Sequence, residues 1–207
     1  YGHGDELQCI ATSPDGGLLA SAGRANLAGD STIRLWDTEK RLAAGTIDVH
    51  SLTVVRLAFS PDGAHVLSVG RDRKLVVSSV TNRSSPLVVW MLEEAHERII
   101  WDATWLTADS IVTVSRDRKA KLWSLASRKC IAETEFKEPV TAVCRLSDNL
   151  IVVGLEDGSI VEYDWTSGKS FVVGRANGRT NRLAVHSKLP FLAVASADHS
   201  IRIYSRK

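Results

Sequence analysis

The chain has 207 residues, enough to bury one sizeable core, and its 44% hydrophobic and 24% charged residues make the ordinary composition of a soluble globular chain. A formal net charge of +2 neither demands nor excludes nucleic acid as a partner. No apolar run approaches the length needed to cross a bilayer, so no membrane partner is expected, and no signal peptide opens the sequence.

In chain order the sequence reads as short β-forming runs closed by turns. His3 is followed by the tight turn Ser13-Pro14-Asp15-Gly16, the run LLASA, and Asp30, which leads six residues on to Trp36 in DSTIRLW. His50 precedes Phe59 by nine residues, and Val55, Leu57 and Phe59 are expected on one strand face. Ser60-Pro61-Asp62-Gly63, HVLSVG and DRKLVVS (Asp72 to Ser78) follow. Pro86 to Leu92 is the expected outer strand of that unit and carries Trp90. His96 precedes Trp105 by nine residues; Ile99, Trp101, Ala103 and Trp105 are expected on one face, before SIVTVS and DRKAKLW (Asp117 to Trp123). LIVVG with DGSIVEY (Asp157 to Tyr163) and FLAVASA with DHSIRIY (Asp198 to Tyr204) complete the pattern, without a His in either unit. Pro presets one backbone angle of the turns, and Gly accepts positive φ. Alternation without a sustained 3.6-residue period predicts a chain that is nearly all β.

The closing residues of the Asp turns stand at 36, 78, 123, 163 and 204, so the unit recurs every 40–45 residues. That period, with Gly-His, Ser-Pro-Asp-Gly, the Asp turn and Trp36-Asp37, resembles the WD40 repeat. The resemblance implies an all-β WD40 β-propeller with about five blades of four-stranded antiparallel sheet, in units of about 1–48, 49–93, 94–136, 137–176 and 177–207. In that family the strands run outwards from the centre, and the outermost strand of the last blade comes from the other end of the ring. This chain starts just before an innermost strand, ends after a third one, and lacks an initiator Met. It is expected to be part of a longer, seven-bladed propeller, with any targeting signal free to lie outside it.

His96, Thr113 and Asp117 bring together an imidazole, a hydroxyl and a carboxylate, the groups of a hydrolase triad. The WD40 resemblance implies a different role. His3, Ser21, Asp30 and Trp36, and again His96, Thr113, Asp117 and Trp123, occupy the places of its structural tetrad, a buried hydrogen-bonded chain. A catalytic set is expected once, whereas this one recurs with the repeat. Ser78 stands where the second unit needs Trp, so a weaker network is expected there. His96-Glu97 lacks the second His of a zinc protease, and neither a nucleophile elbow nor a phosphate-binding loop occurs. No enzyme activity, metal or cofactor is therefore expected.

Arg71-Asp72-Arg73-Lys74 and Arg116-Asp117-Arg118-Lys119 fall on equivalent turns of successive units, with Arg98 nearby. They read either as a basic patch for phosphates or an acidic partner, or as arginines that flank the Asp and face solvent. No aromatic stacking platform accompanies them. Trp90 and Trp165 are candidate exposed anchors, against the plainer reading of packing within the blade. Cys9, Cys130 and Cys144 are odd in number and far apart, which points to a reducing compartment and small buried hydrophobes. The sequon Asn82-Arg83-Ser84 is then a chance occurrence.

More specific strings narrow the resemblance. YGHGDEL, VHSLTVVRLAFSPDG, AHERIIWDATW, TVSRDRKAKLW, VVGLEDGSI and ADHSIRIYS resemble, in this order, the end of the second propeller of the second-subunit family of the Elongator complex. The resemblance implies a non-catalytic scaffold in a complex that modifies the wobble uridine of certain tRNAs. The implied partners are the largest Elongator subunit and the catalytic radical SAM/acetyltransferase subunit, which keeps the cofactors. The location would be cytoplasmic, with a nuclear pool. Two rivals stay open: another WD40 adaptor, such as one of a ubiquitin ligase, and a propeller that binds RNA or tRNA directly through the Arg-Asp-Arg-Lys turns. Glu39 after Trp36-Asp37-Thr38, where such adaptors carry Arg, weighs against the first.

Overall fold

The computed structural model describes residues 2–4, 6–25, 29–186 and 188–205. Its strands form five antiparallel sheets in chain order, four of four strands and a last one of three. The first blade is β1 (Leu7–Thr12), β2 (Leu18–Gly23), β3 (Ile33–Asp37) and β4 (Leu42–Ile47). The second is β5 (Val54–Phe59), β6 (His65–Gly70), β7 (Leu75–Ser79) and β8 (Leu87–Leu92). The third is β9 (Ile100–Trp105), β10 (Ser110–Ser115), β11 (Lys119–Ser124) and β12 (Lys129–Glu135). The fourth is β13 (Val140–Arg145), β14 (Leu150–Leu155), β15 (Ser159–Asp164) and β16 (Ser170–Arg175), and the fifth is β17 (Thr180–Val185), β18 (Phe191–Ser196) and β19 (Ile201–Ser205).

The turns explain why each run stops where it does. Ser13 Oγ and Ser60 Oγ each accept the N–H five residues on, at 2.9 Å, and Gly16 and Gly63 take φ of 71° in the same turns. Each Asp turn is an Asx turn, in which the carboxylate of Asp30, Asp72, Asp117, Asp157 or Asp198 accepts the N–H two residues on. The residue between is left-handed in the last four: Arg73, Arg118, Gly158 and His199.

The innermost strands β1, β5, β9, β13 and β17 stand side by side in that order, and the blades stack face to face behind them. Each apolar core lies between two blades. Leu67, Val69 and Val77 of the second blade meet Ile100, Ala103 and Ile111 of the third, and Val112 and Val114 then meet Val140 and Val153 of the fourth. Middle strands are covered on both faces, which is why β6, β10 and β14 are continuous apolar runs rather than alternating ones. The outer face of the last blade has no neighbour: Ile201 and Ile203 on β19 are 75% and 62% exposed.

The expected one-face alternation of the inner strands is corrected by a bulge. Ile100 pairs with Ser115 and Asp102 with Val114, so Trp101 is left over and the phase slips by one residue. Ala103 and Trp105 go into the core, and Trp101 leaves their face. The same slip recurs in every inner strand, and sets aside Gln8, Val55, Thr141 and Asn181.

Candidate functional site

The third blade brings together His96, Thr113, Asp117 and Trp123. Trp123 Nε1 donates to Thr113 Oγ1 at 2.8 Å; Thr113 Oγ1 and His96 Nε2 are 2.7 Å apart; His96 Nδ1 lies 2.8 Å from the Asp117 carboxylate. One proton assignment satisfies all of it: indole N–H to hydroxyl, hydroxyl O–H to Nε2, and Nδ1–H to carboxylate. This requires a neutral imidazole, and burial does lower the His96 pKa below 6.5, against the pull of Asp117. For Asp117 itself, burial opposes ionisation, but the hydrogen bonds from His96, Lys119 and Glu97 outweigh it and hold its pKa below the usual range. Thr113 and His96 are 0% and 2% exposed, and the hydroxyl is enclosed between ring and indole, without a path to a substrate.

In the first blade Trp36 Nε1 donates to Ser21 Oγ at 2.8 Å, and His3 Nε2 lies 2.8 Å from the same oxygen. His3 Nδ1 is 3.5 Å from Asp30, which Arg34 binds at 2.7 Å. Burial would raise the Asp30 pKa, but hydrogen bonds from Arg34 and Thr32 dominate and bring it to about 2. The second blade keeps His50 between Asp72 (3.0 Å) and Ser68 (2.8 Å), and the chain stops there, because buried Ser78 replaces the indole. The fourth and fifth blades fill the same columns with groups that form no such chain. Phe136 and Ala176, four residues before β13 and β17, stand where the others have His; Val153 and Val194 replace the hydroxyl; Tyr163 and Tyr204 replace Trp. Phe136 packs edge-on against Tyr163 with centroids 6.0 Å apart. The missing His and the tyrosines at 163 and 204 are legible in the sequence, and Phe136, Ala176, Val153 and Val194 complete the same aligned columns.

The basic turns divide into paired and unpaired groups. Arg73 binds Glu94 at 2.8 Å, Lys74 binds Glu93 at 3.0 Å, Arg118 binds Glu135 at 2.7 Å and Lys119 binds Glu133 at 3.1 Å. The broad basic patch is thus largely neutralised by acidic residues from the outer strand of the same blade or the loop after it. Arg71, Arg98 and Arg116 are exposed and make no ion pair among the described residues. Arg98 and Arg116 line a hollow of 470 Å³ together with Glu97 and Glu156.

A second feature had no signal in the sequence beyond the repeat columns. The five bulge residues Gln8, Val55, Trp101, Thr141 and Asn181 share one cavity of 330 Å³ at the centre of the blades, with Arg179 and Arg182. Beneath it the buried Asp102 carboxylate takes Arg56 at 3.0 Å, Arg182 at 3.3 Å and the Val143 N–H at 3.1 Å, which ties four blades to one group. No cluster of three or more His, Cys, Asp or Glu among the described residues is placed to hold a metal ion, and no helix there is long and apolar enough to cross a membrane.

Residues 1–37 and 43–77 match the WD domain, G-beta repeat family. Elongator complex protein 2 of Saccharomyces cerevisiae is 37% identical over 232 residues, a span that takes in 99% of this chain and 29% of that protein. The proteins of the same name from Dictyostelium discoideum and Arabidopsis thaliana are 31% and 35% identical, over 100% and 77% of this chain. The chain is a WD40-repeat domain homologous to Elongator complex protein 2. It spans less than a third of the length of the relatives it matches: 29%, 28% and 21% of these three.

Two expectations about this WD40 domain are corrected by the packing. Trp90 is not an exposed anchor. It is 6% exposed, because it turns inwards from β8 to meet Trp123 edge-on at 6.0 Å between the second and third blades. Trp165 is half-buried and packs on Tyr163 at 4.9 Å. The apolar groups that β8 does expose are Leu87, Val88 and Met91. Among the cysteines Cys9 is buried, but Cys130 lies exposed on the outer strand β12, where nothing covers it.

Proposed function

We propose that this WD40 domain is part of a non-catalytic scaffold subunit of the Elongator complex, and supports wobble-uridine modification of tRNA by holding protein partners. The observation that carries the reading is homology to Elongator complex protein 2 over nearly the whole chain. The buried tetrads agree with it, since their polar groups are spent on joining strands. The bare apolar face of β19 supports further blades of a seven-bladed ring on that side. The largest Elongator subunit and the catalytic radical SAM/acetyltransferase subunit are the partners to be sought, in the cytoplasm and in a nuclear pool. Tagged intact protein, recovered from its own cells and analysed by mass spectrometry, should bring both subunits with it. Recovery of ubiquitin-ligase components instead, or of no stable partner, would refute the proposal.

A direct tRNA contact is the second reading, favoured by unpaired Arg71, Arg98 and Arg116 on one rim. If it holds, affinity for tRNA falls steeply with salt, and changing these three residues to Glu both weakens binding and flattens the salt dependence. Unchanged affinity in that triple variant would remove tRNA and leave the rim to acidic protein surfaces.

A further inference from the structure

We infer that the central cavity is a binding site for a small phosphate-class oxyanion. A β-bulge re-aims the side chain it leaves unpaired, and here five equivalent bulges aim theirs into one space. Such a coincidence builds a site on rigid inner strands rather than on loops. Among the described residues its walls carry two cations, Arg179 and Arg182, and neither Asp nor Glu.

The charges do not cancel below it either. Among the described residues Asp102 is the acidic group that pairs with Arg182, and it is shared between Arg56 and Arg182 while it also accepts the backbone N–H groups of Ala103 and Val143. Two guanidinium groups thus share one carboxylate, and Arg179 adds a further positive charge beside them. Arg179 has no ion pair among the described residues. Its guanidinium lies over the Trp101 ring at 5.7 Å, and its Nε donates to Asn181 Oδ1 at 3.1 Å, so it is held in place before any ligand arrives. Arg182 is fixed in turn by Asp102. Two preset guanidinium forks with the side-chain amides of Gln8 and Asn181 beside them match a compact tetrahedral oxyanion. At 330 Å³ the cavity takes such a group on a small molecule but no large ligand.

The test uses the intact polypeptide at low ionic strength, with inorganic phosphate and glycerol 3-phosphate as probes and chloride at matched ionic strength as the reference. Phosphate should raise the melting temperature and change the fluorescence of Trp101, and the Trp101→Phe variant should lose the fluorescence response. Arg179→Gln should weaken binding about tenfold or more, the loss of one charge-assisted contact. Arg182→Gln is a poorer variant, because it also loosens Asp102 and threatens folding. Arg175→Gln, on the outer strand β16 and paired there with Asp157, should bind as the unchanged protein does. Tighter binding of glycerol 3-phosphate than of phosphate would point to an organic ester as the source, and the reverse to free phosphate. No response to either probe beyond that of chloride, or equal binding by Arg179→Gln, would overturn the assignment.

Discussion

Replacing Thr113 by Val keeps the shape of the side chain and removes one oxygen. That oxygen accepts the Trp123 indole N–H at 2.8 Å and bonds His96 Nε2 at 2.7 Å, with Thr113 at 0% exposure. Two buried polar atoms lose their partner, each at a cost of about 1–3 kcal/mol, and the desolvation of the lost hydroxyl is recovered. The expected destabilisation is about 2–4 kcal/mol, which corresponds to amide exchange about 30- to 700-fold faster in β9–β11 of the intact protein. The fourth blade indicates the remedy, since Phe136, Val153 and Tyr163 fill the same columns with the Tyr163 hydroxyl as their one polar side-chain group. The triple change His96→Phe, Thr113→Val and Trp123→Tyr should therefore cost at least about 2 kcal/mol less than the sum of its single changes. Hydrogen exchange read by mass spectrometry on all four variants measures this. A neutral Thr113→Val change, or strict additivity in the triple variant, would refute the view that these groups act as one satisfied network.

Acid should weaken the fold in two stages. His96 is held below its ordinary value of 6.5, so the unfolded chain binds its proton first, and stability present above pH 6.5 is lost as pH falls below it. The triple variant should lack this stage in a pH series of unfolding curves. Asp30, at about 2 in the fold against 3.8 in the open chain, adds a second loss as pH falls from 3.8 towards 2. Gly154→Ala should destabilise the contact between the fourth and fifth blades by about 1–3 kcal/mol, seen as faster exchange in β14 and β17. The reason is that the new methyl would lie 2.3 Å from Cγ2 of fully buried Thr180. Thiol reagents should modify Cys130 in the native protein and reach Cys9 only on unfolding, because burial pushes the Cys9 thiol up to about 12; peptide mapping after timed alkylation decides this.

What could be read from the sequence is what depends on local chemistry. The Asp turns and Ser-Pro-Asp-Gly turns close through hydrogen bonds within a few residues, so their positions and the 40–45-residue period set out the strands before any coordinates. What depends on register was not readable. A bulge moves every later residue of a strand to the other face, so the alternation Ile99, Trp101, Ala103, Trp105 looked uniform although Trp101 belongs to the cavity and Ala103 to the core. The neutralisation of the Arg-Asp-Arg-Lys turns was hidden for the same reason. Glu133 and Glu135 come to Lys119 and Arg118 because β12 pairs antiparallel with β11, and Glu93 and Glu94 reach Lys74 and Arg73 from the loop after β8. Trp90 was misplaced because an outer strand in isolation looks exposed on both faces, whereas one face of β8 meets the next blade.

The columns of the tetrad vary from blade to blade. Across five blades one set of positions holds His–Ser–Trp, His–Ser–Ser, His–Thr–Trp, Phe–Val–Tyr and Ala–Val–Tyr. In the third blade the polar set closes its hydrogen bonds internally, whereas the Phe or Ala, Val and Tyr sets need only the tyrosine hydroxyl satisfied, as Tyr204 is by the Arg175 carbonyl. Other positions that the repeat leaves variable lie elsewhere: the bulge residues at the centre and the arginines on the rim. There Gln8, Val55, Trp101, Thr141 and Asn181 differ from blade to blade, while the backbone that presents them is the same.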